Sequence, residues 1–166
     1  SMGGKLAMWY AASHPHRVEK LIVADMAPRA YPIHHQTILE GLMDLYRNNP
    51  TSRSEADSRL EAYVTDRATR QFLLKNLMRI TPDRLSLRPN IPVVKQLIGE
   101  VMVALPGDLS FDGPSLFLRG EHSDYVLPED HPTIYSQFPK AQIHTIARAG
   151  HWLHAENPVD FSKKFQ

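Results

Sequence analysis

The chain has 166 residues, 42% of them hydrophobic, enough apolar side chain to bury the core of one ordinary domain. Its 19 Lys and Arg nearly balance 18 Asp and Glu, and neither sign gathers into a run, which excludes a nucleic-acid groove or an anionic membrane surface as the main partner and favours a small, roughly neutral substrate. No cysteine is present, so a disulfide framework, a thiolate zinc site and a cysteine nucleophile are excluded together.

In chain order, Leu6, Met8, Trp9, Ala11 and Ala12 predict a helix from Met2 to His14, apolar over most of its circumference and ended by Pro15. Lys20 to Asp25 is a continuous apolar run closed by an acid, the pattern of a parallel strand buried on both faces. From 32 to 106 helical patterns take over: His34 to Arg47, Ser54 to Val64, Ala68 to Met78 with Phe72, Leu73 and Leu77 inward, and Pro92 to Ala104. No strand is predicted there, so the block reads as a helical insertion between core segments 1–31 and 107–166. Strand patterns return at Pro114 to Arg119 and Ala141 to Ile146, separated by a helix-length segment from Pro128 to Phe138, which implies a parallel crossover and an α/β fold. A last helix starts at Pro158. The longest apolar stretches fall far below the roughly 20 residues that span a bilayer, and no secretory signal opens the chain, so a cytoplasmic protein is expected.

Chemistry concentrates at the two ends. Ser1-Met-Gly-Gly followed at once by a helix is the second half of a nucleophile elbow, G-x-S-x-G, with Gly3 as trailing glycine; small residues are needed there because a Cβ would meet the adjoining strand and helix. Taken alone it reads sooner as a serine helix cap followed by flexible glycines. Ala149-Gly150-His151-Trp152 follows a predicted strand and precedes the terminal helix, where a triad histidine must sit to approach a serine with one nitrogen and an acid with the other. Alone, that pair reads as a turn with an exposed imidazole; joined to the elbow in the order serine, acid, histidine, it points to nucleophilic catalysis. The backbone N–H of Met2 supplies one oxyanion donor in this scheme. Two neighbouring histidine pairs, His34-His35 and His151 with His154, lack a third ligand at a recognisable distance, so neither metal nor cofactor is expected.

The segments Ser1-Met-Gly-Gly-Lys5, Leu21-Ile-Val-Ala-Asp25-Met-Ala-Pro28, Arg70-Gln-Phe-Leu-Leu-Lys75 and Ala149-Gly-His-Trp-Leu-His-Ala-Glu-Asn-Pro158 resemble the α/β-hydrolase superfamily, and within it the YbfF-type bacterial esterases and their mitochondrial relatives. The resemblance implies a sheet of eight strands with the elbow after strand five and a helical cap between strands six and seven. It makes this chain the part from the elbow onward, strands six to eight. Many superfamily members carry the acid three residues beyond a glycine after strand seven, but Gly120-Glu-His-Ser-Asp124 puts Ser123 there. Asp25, at the end of strand six, is the preferred acid and Asp124 the alternative. What is implied is a serine carboxylesterase acting on short to medium acyl esters, with thioester or C–C cleavage as variants of the same chemistry.

The chain opens with Ser rather than Met, so it is expected to be a piece of a longer protein whose N-terminal half is required and supplies the second oxyanion donor. A rival from another class is an inactive fragment, or a hydrolase-like fold kept as a binding module.

Overall fold

The computed structural model describes residues 2–32 and 36–165. In chain order the elements are α1 (Met2–Ser13), β1 (Leu21–Ala24), α2 (Gln36–Asn48), α3 (Arg53–Glu61), α4 (Arg67–Leu73), β2 (Leu77–Thr81), β3 (Arg84–Leu87), α5 (Ile91–Met102), β4 (Ser115–Gly120), α6 (His131–Gln137), β5 (Ala141–Ile146), α7 (Leu153–Glu156) and α8 (Pro158–Lys163), with short 3-10 turns at Pro15–Arg17, Leu74–Asn76 and Pro128–Asp130. They fall into two compact units, one of Ser1–Tyr31 with Val101–Gln166, the other of Pro32–Glu100.

The first unit is built on a parallel sheet in the order β1-β4-β5. Leu21 pairs with Ser115 and Ala24 with Leu118, while Ser115 pairs with Ala141 and Gly120 with Ile146, so all three strands end at one edge. As the middle strand, β4 is the most buried; Phe117 packs edge-on against Phe138, which caps the C-terminus of α6, ring centroids 5.3 Å apart. The reading of β1 as buried on both faces is corrected: Leu21 and Val23 are buried, but Ile22 is 46% exposed. Alternation of this kind belongs to a strand covered on one side only. α1 lies close against β1, because a Cβ on Gly4 would come within 3.1 Å of Val23 Cγ1 and 3.3 Å of Met26 Cβ. Gly4 is therefore the residue whose lack of side chain is used, since a Cβ on Gly3 would meet nothing within 4 Å. Backbone bonds from Leu105 to Pro28 (2.8 Å) and from Tyr31 to Met102 (2.8 Å) tie the segment after α5 to the loop after β1.

The second unit has its own core of Met43, Leu45, Ala56, Leu60, Leu74, Leu87 and Ile91. The apolar stripe of α2 turns Leu39, Met43 and Leu45 inward, and Ser52 and Asp66 cap α3 and α4 by accepting from Glu55 N (3.1 Å) and Thr69 N (2.7 Å). Two sequence expectations are corrected here. The block is not wholly helical, because β2 and β3 form an antiparallel hairpin, Leu77 opposite Leu87 and Met78 opposite Ser86. The helix read over Ala68 to Met78 accordingly stops at Leu73, and Phe72, expected inward, is 45% exposed. His34 and His35, and with them the predicted start of α2, lie outside the described residues. Among the described residues no helix is long and apolar enough to cross a membrane.

Candidate active site

Asp25 follows the last residue of β1 with φ 51°, in the left-handed region that a residue bearing Cβ rarely occupies. Its N–H still continues the ladder by donating to Leu118 O at 2.7 Å, so the strand is held while the side chain is redirected. The side chain is completely buried. A buried carboxylate needs donors for its lone pairs, and three converge on it: Gly120 N donates to Oδ1 at 3.1 Å, Ser123 Oγ donates to Oδ2 in a short bond, and His151 Nδ1 lies 2.7 Å from Oδ2. An ionised carboxylate only accepts, so in this contact Nδ1 is the ring nitrogen that donates.

His151 reaches this position because its loop is fixed on both sides. The Glu156 carboxylate accepts from Gly150 N at 2.8 Å and from Trp152 N at 3.1 Å, and Asn157 Nδ2 donates to Ala147 O at 2.8 Å. Across the loop, His122 N donates to Ala149 O at 2.9 Å. The loop passes so near the end of β4 that a Cβ on Gly120 would fall on the carbonyl oxygens of Ala149 and Gly150. Tyr125 stacks on the imidazole with ring centroids 3.8 Å apart and planes 22° apart. Burial, with the charge of Asp25 adding to it, pushes the Tyr125 hydroxyl above its ordinary pKa of 10.0, so the ring is neutral.

The loop after β1 is tied to its surroundings at several points. Tyr31 Oη accepts from Ala27 N at 2.7 Å and donates to Tyr125 O; Arg29 donates to Asp124 O at 3.0 Å and pairs with Asp130 at 3.0 Å. Lys5 of α1 donates to the carbonyls of Pro28 (2.9 Å), Arg29 and Val103 (2.6 Å). Burial, and to a lesser extent the charge of Arg29, lowers its pKa to about 8.

Of the residues singled out in the sequence, Asp25 and His151 are brought together. Asp124 is exposed, and the contact it gives this region is its carbonyl, held by Arg29. Ser1 lies outside the described residues. Met2 opens α1 and is half exposed. His154 meets Phe161 edge-on, centroids 6.1 Å apart. Among the described residues no group of three His, Asp or Glu is arranged to hold a metal ion. Sequence reasoning missed Ser123, Gly120, Glu156 and Tyr125. In the sequence Ser123 stands as a departure from the superfamily pattern, and a hydroxyl where an acid is common is a signal that it serves an acid supplied from elsewhere.

No protein-family model matches the chain. Among curated proteins it is 38% identical, over 97% of its length and 54% of the relative's, to the sn-1-specific diacylglycerol lipase ABHD11 of Mus musculus. It is 32% identical, over 95% of its length and 60% of the relative's, to esterase YbfF of Escherichia coli strain K12. A solved structure titled marine microorganism esterase superposes with a TM-score of 0.90 at 39% identity, covering 99% of this chain and 66% of that one. The chain thus spans a little over half the length of the curated relatives it matches.

Proposed function

Because this chain belongs to the α/β-hydrolase superfamily, in its YbfF-type branch, we propose that it carries the nucleophile, base and acid of a serine hydrolase that cleaves carboxylic esters of short to medium acyl chain through an acyl-enzyme. The observation that carries this reading is the 2.7 Å contact between His151 Nδ1 and the buried Asp25. That contact gives the imidazole the tautomer and orientation a general base requires.

In the proposed cycle Nε2 of His151 accepts the Ser1 hydroxyl proton as Oγ attacks the acyl carbonyl. The imidazolium, stabilised by Asp25, then protonates the departing alcohol as the C–O bond breaks. Water, deprotonated by His151, attacks the acyl-enzyme, and Ser1 leaves with the proton returned from the imidazolium, releasing the acid. Met2 N–H is one donor to the tetrahedral oxyanion; removing a donor of this kind costs on the order of 2.7–4 kcal/mol of transition-state stabilisation.

The whole enzyme needs more than these residues. Met2, Leu6, Trp9 and Tyr10 of α1 are 50%, 64%, 47% and 39% exposed, and they fall on one side of the helix at a spacing of three to four. An apolar stripe of that kind calls for a covering partner. We assign that cover, and with it the second oxyanion donor, to an N-terminal half of the full-length protein, since the curated relatives are longer than the span they share with this chain.

A fluorophosphonate probe on the full-length protein tests the reading. Covalent labelling at Ser1 that disappears in His151→Ala is the expected result; an unlabelled wild-type protein would sink it. A series of p-nitrophenyl esters of increasing acyl length then sets the chain-length preference.

A further inference from the structure

The catalytic scheme above uses Asp25, which holds His151 through Nδ1. A second group lies against the imidazole itself, the Tyr125 ring, whose centroid is 3.8 Å from that of the imidazole at an interplanar angle of 22°, close face-to-face packing. We propose that Tyr125 is a positioning residue for His151, its ring face fixing the imidazole plane and favouring the imidazolium that forms while the serine attacks. The proposal rests on His151 acting as the base in the reaction proposed above.

The ring is itself held in place. Its backbone N–H donates to Ser123 Oγ at 3.2 Å, and that hydroxyl donates to Asp25, so the residue stacked on the base is joined to the acid that orients the base. Its carbonyl accepts from Tyr31 Oη, and Tyr31 stacks on Tyr125 at 5.4 Å and 25°. The Arg29 guanidinium lies 4.1 Å from the Tyr31 ring centroid and also binds Asp124 O and Asp130. These contacts join the loop after β1 to the loop after β4 on the side where the imidazole is stacked.

An aromatic face carries negative potential and attracts a cation set over it, whereas a neutral imidazole gains little. The stack therefore discriminates between the two protonation states of His151, and a contact stronger in the charged transition state than in the ground state raises kcat. Among the described residues, the charged and titratable groups against His151 and its loop include Asp25 from the end of β1, Tyr125 and Glu121 from the loop after β4, and Glu156 from α7; the Glu121 carboxylate accepts from Arg148 N, and that of Glu156 is occupied by two backbone N–H groups. Arg29 and Asp130 stand behind Tyr31 and pair with each other.

The test compares Tyr125→Leu and Tyr125→Phe in the full-length protein. Leu keeps apolar cover over the imidazole but has no ring face. It should lower kcat about fivefold, equivalent to about 1 kcal/mol, with KM within twofold. It should also move the acidic limb of the kcat/KM profile down by about half a pH unit, since the protonated base is less favoured. Phe should restore both quantities. In proton NMR the His151 ring resonances should lie upfield in wild type and Phe, and move downfield in Leu. A Leu variant with the wild-type acidic limb, a change in KM alone, or a Phe variant as impaired as Leu would overturn the proposal. Should the Leu variant fail to fold, His151 resonances without an upfield shift in the wild type would overturn it by themselves. Fluorophosphonate labelling that persists in His151→Ala overturns the base assignment and this proposal together. Lost labelling with an unmoved Tyr125→Leu profile overturns this proposal alone.

Discussion

Arg70 in Pro32–Glu100 and Asp25 in the sheet-bearing unit are both charged and both buried, 5% and 0% exposed, yet their partners differ in kind. Arg70 binds Asp57 at 2.9 Å and Glu61 at 3.3 Å, and donates to the carbonyls of Val64 and Thr65 at 3.1 and 2.8 Å. Every one of those groups belongs to the helices and turn it holds together. Asp25 is equally well satisfied, but one of its partners, His151, can change its protonation state and keeps a quarter of its side chain exposed. Burial of charge is thus common to both units, and what separates them is whether the buried charge acts on a group that reaches solvent. A satisfied buried charge is by itself weak evidence of function; a buried carboxylate that sets the tautomer of an accessible imidazole is a site candidate with a stated mechanism.

The sharpest way to break that comparison is to remove the charge in each unit and read activity against stability. Asp25→Asn in the full-length protein keeps the shape but inverts the hydrogen bond to Nδ1, and kcat should fall on the order of 10⁴-fold. Asp124→Asn should stay within twofold. Were Asp124→Asn the variant that abolished turnover, the acid would have to be reassigned despite the geometry. Arg70→Met should do the reverse, leaving kcat within twofold while lowering the unfolding free energy by about 2–3 kcal/mol, because two carbonyls and two carboxylates lose their donor. Urea denaturation checks this. A large fall in kcat for folded Arg70→Met would mean that the distinction drawn between the units is false.

The same contrast shows why parts of the molecule were legible in the sequence and others were not. Leu21 to Ala24, Ser115 to Gly120 and Ala141 to Ile146 are located closely because short apolar or alternating segments bounded by turn residues have few other ways to be buried than as strands. β2 escaped that reading because it hardly alternates: Leu77 is half-buried, and Met78, Arg79, Ile80 and Thr81 are exposed. The remaining signal was Pro82-Asp83 between two β-prone segments, a turn mark that the surrounding helical periodicity obscured. At the site, Gly150-His151 and the acid ending β1 were visible as residue types. The φ of Asp25, the hydroxyl of Ser123 across from it and the clearance that Gly120 gives the histidine loop depend on which strand ends meet, and meetings between residues 29 to 126 positions apart leave no local pattern.

Lys5 sharpens the comparison from the other side, since it is a buried cation in the unit of Asp25 and the counterpart of Arg70. It is 4% exposed, but its acceptors are three backbone carbonyls and no carboxylate, and Arg29 adds a like charge. Neutral acceptors satisfy its donors without repaying the full desolvation of the ammonium, so its pKa falls from 10.5 to about 8. Between those two values the unfolded chain binds a proton that the folded chain has released, and stability rises with pH. Tyr31, held up to about 12 by burial, acts in the opposite sense, but only above its ordinary value of 10.0. The clean window is therefore pH 8 to 10. Across it the wild type should gain stability relative to Lys5→Met, by no more than about 1.4 kcal/mol per pH unit. Equal slopes for the two proteins in urea denaturation at pH 8, 9 and 10 would show that the ammonium is as well compensated by carbonyls as Arg70 is by carboxylates. The pairing with charge, rather than the satisfaction of donors, would then have ceased to distinguish the two units.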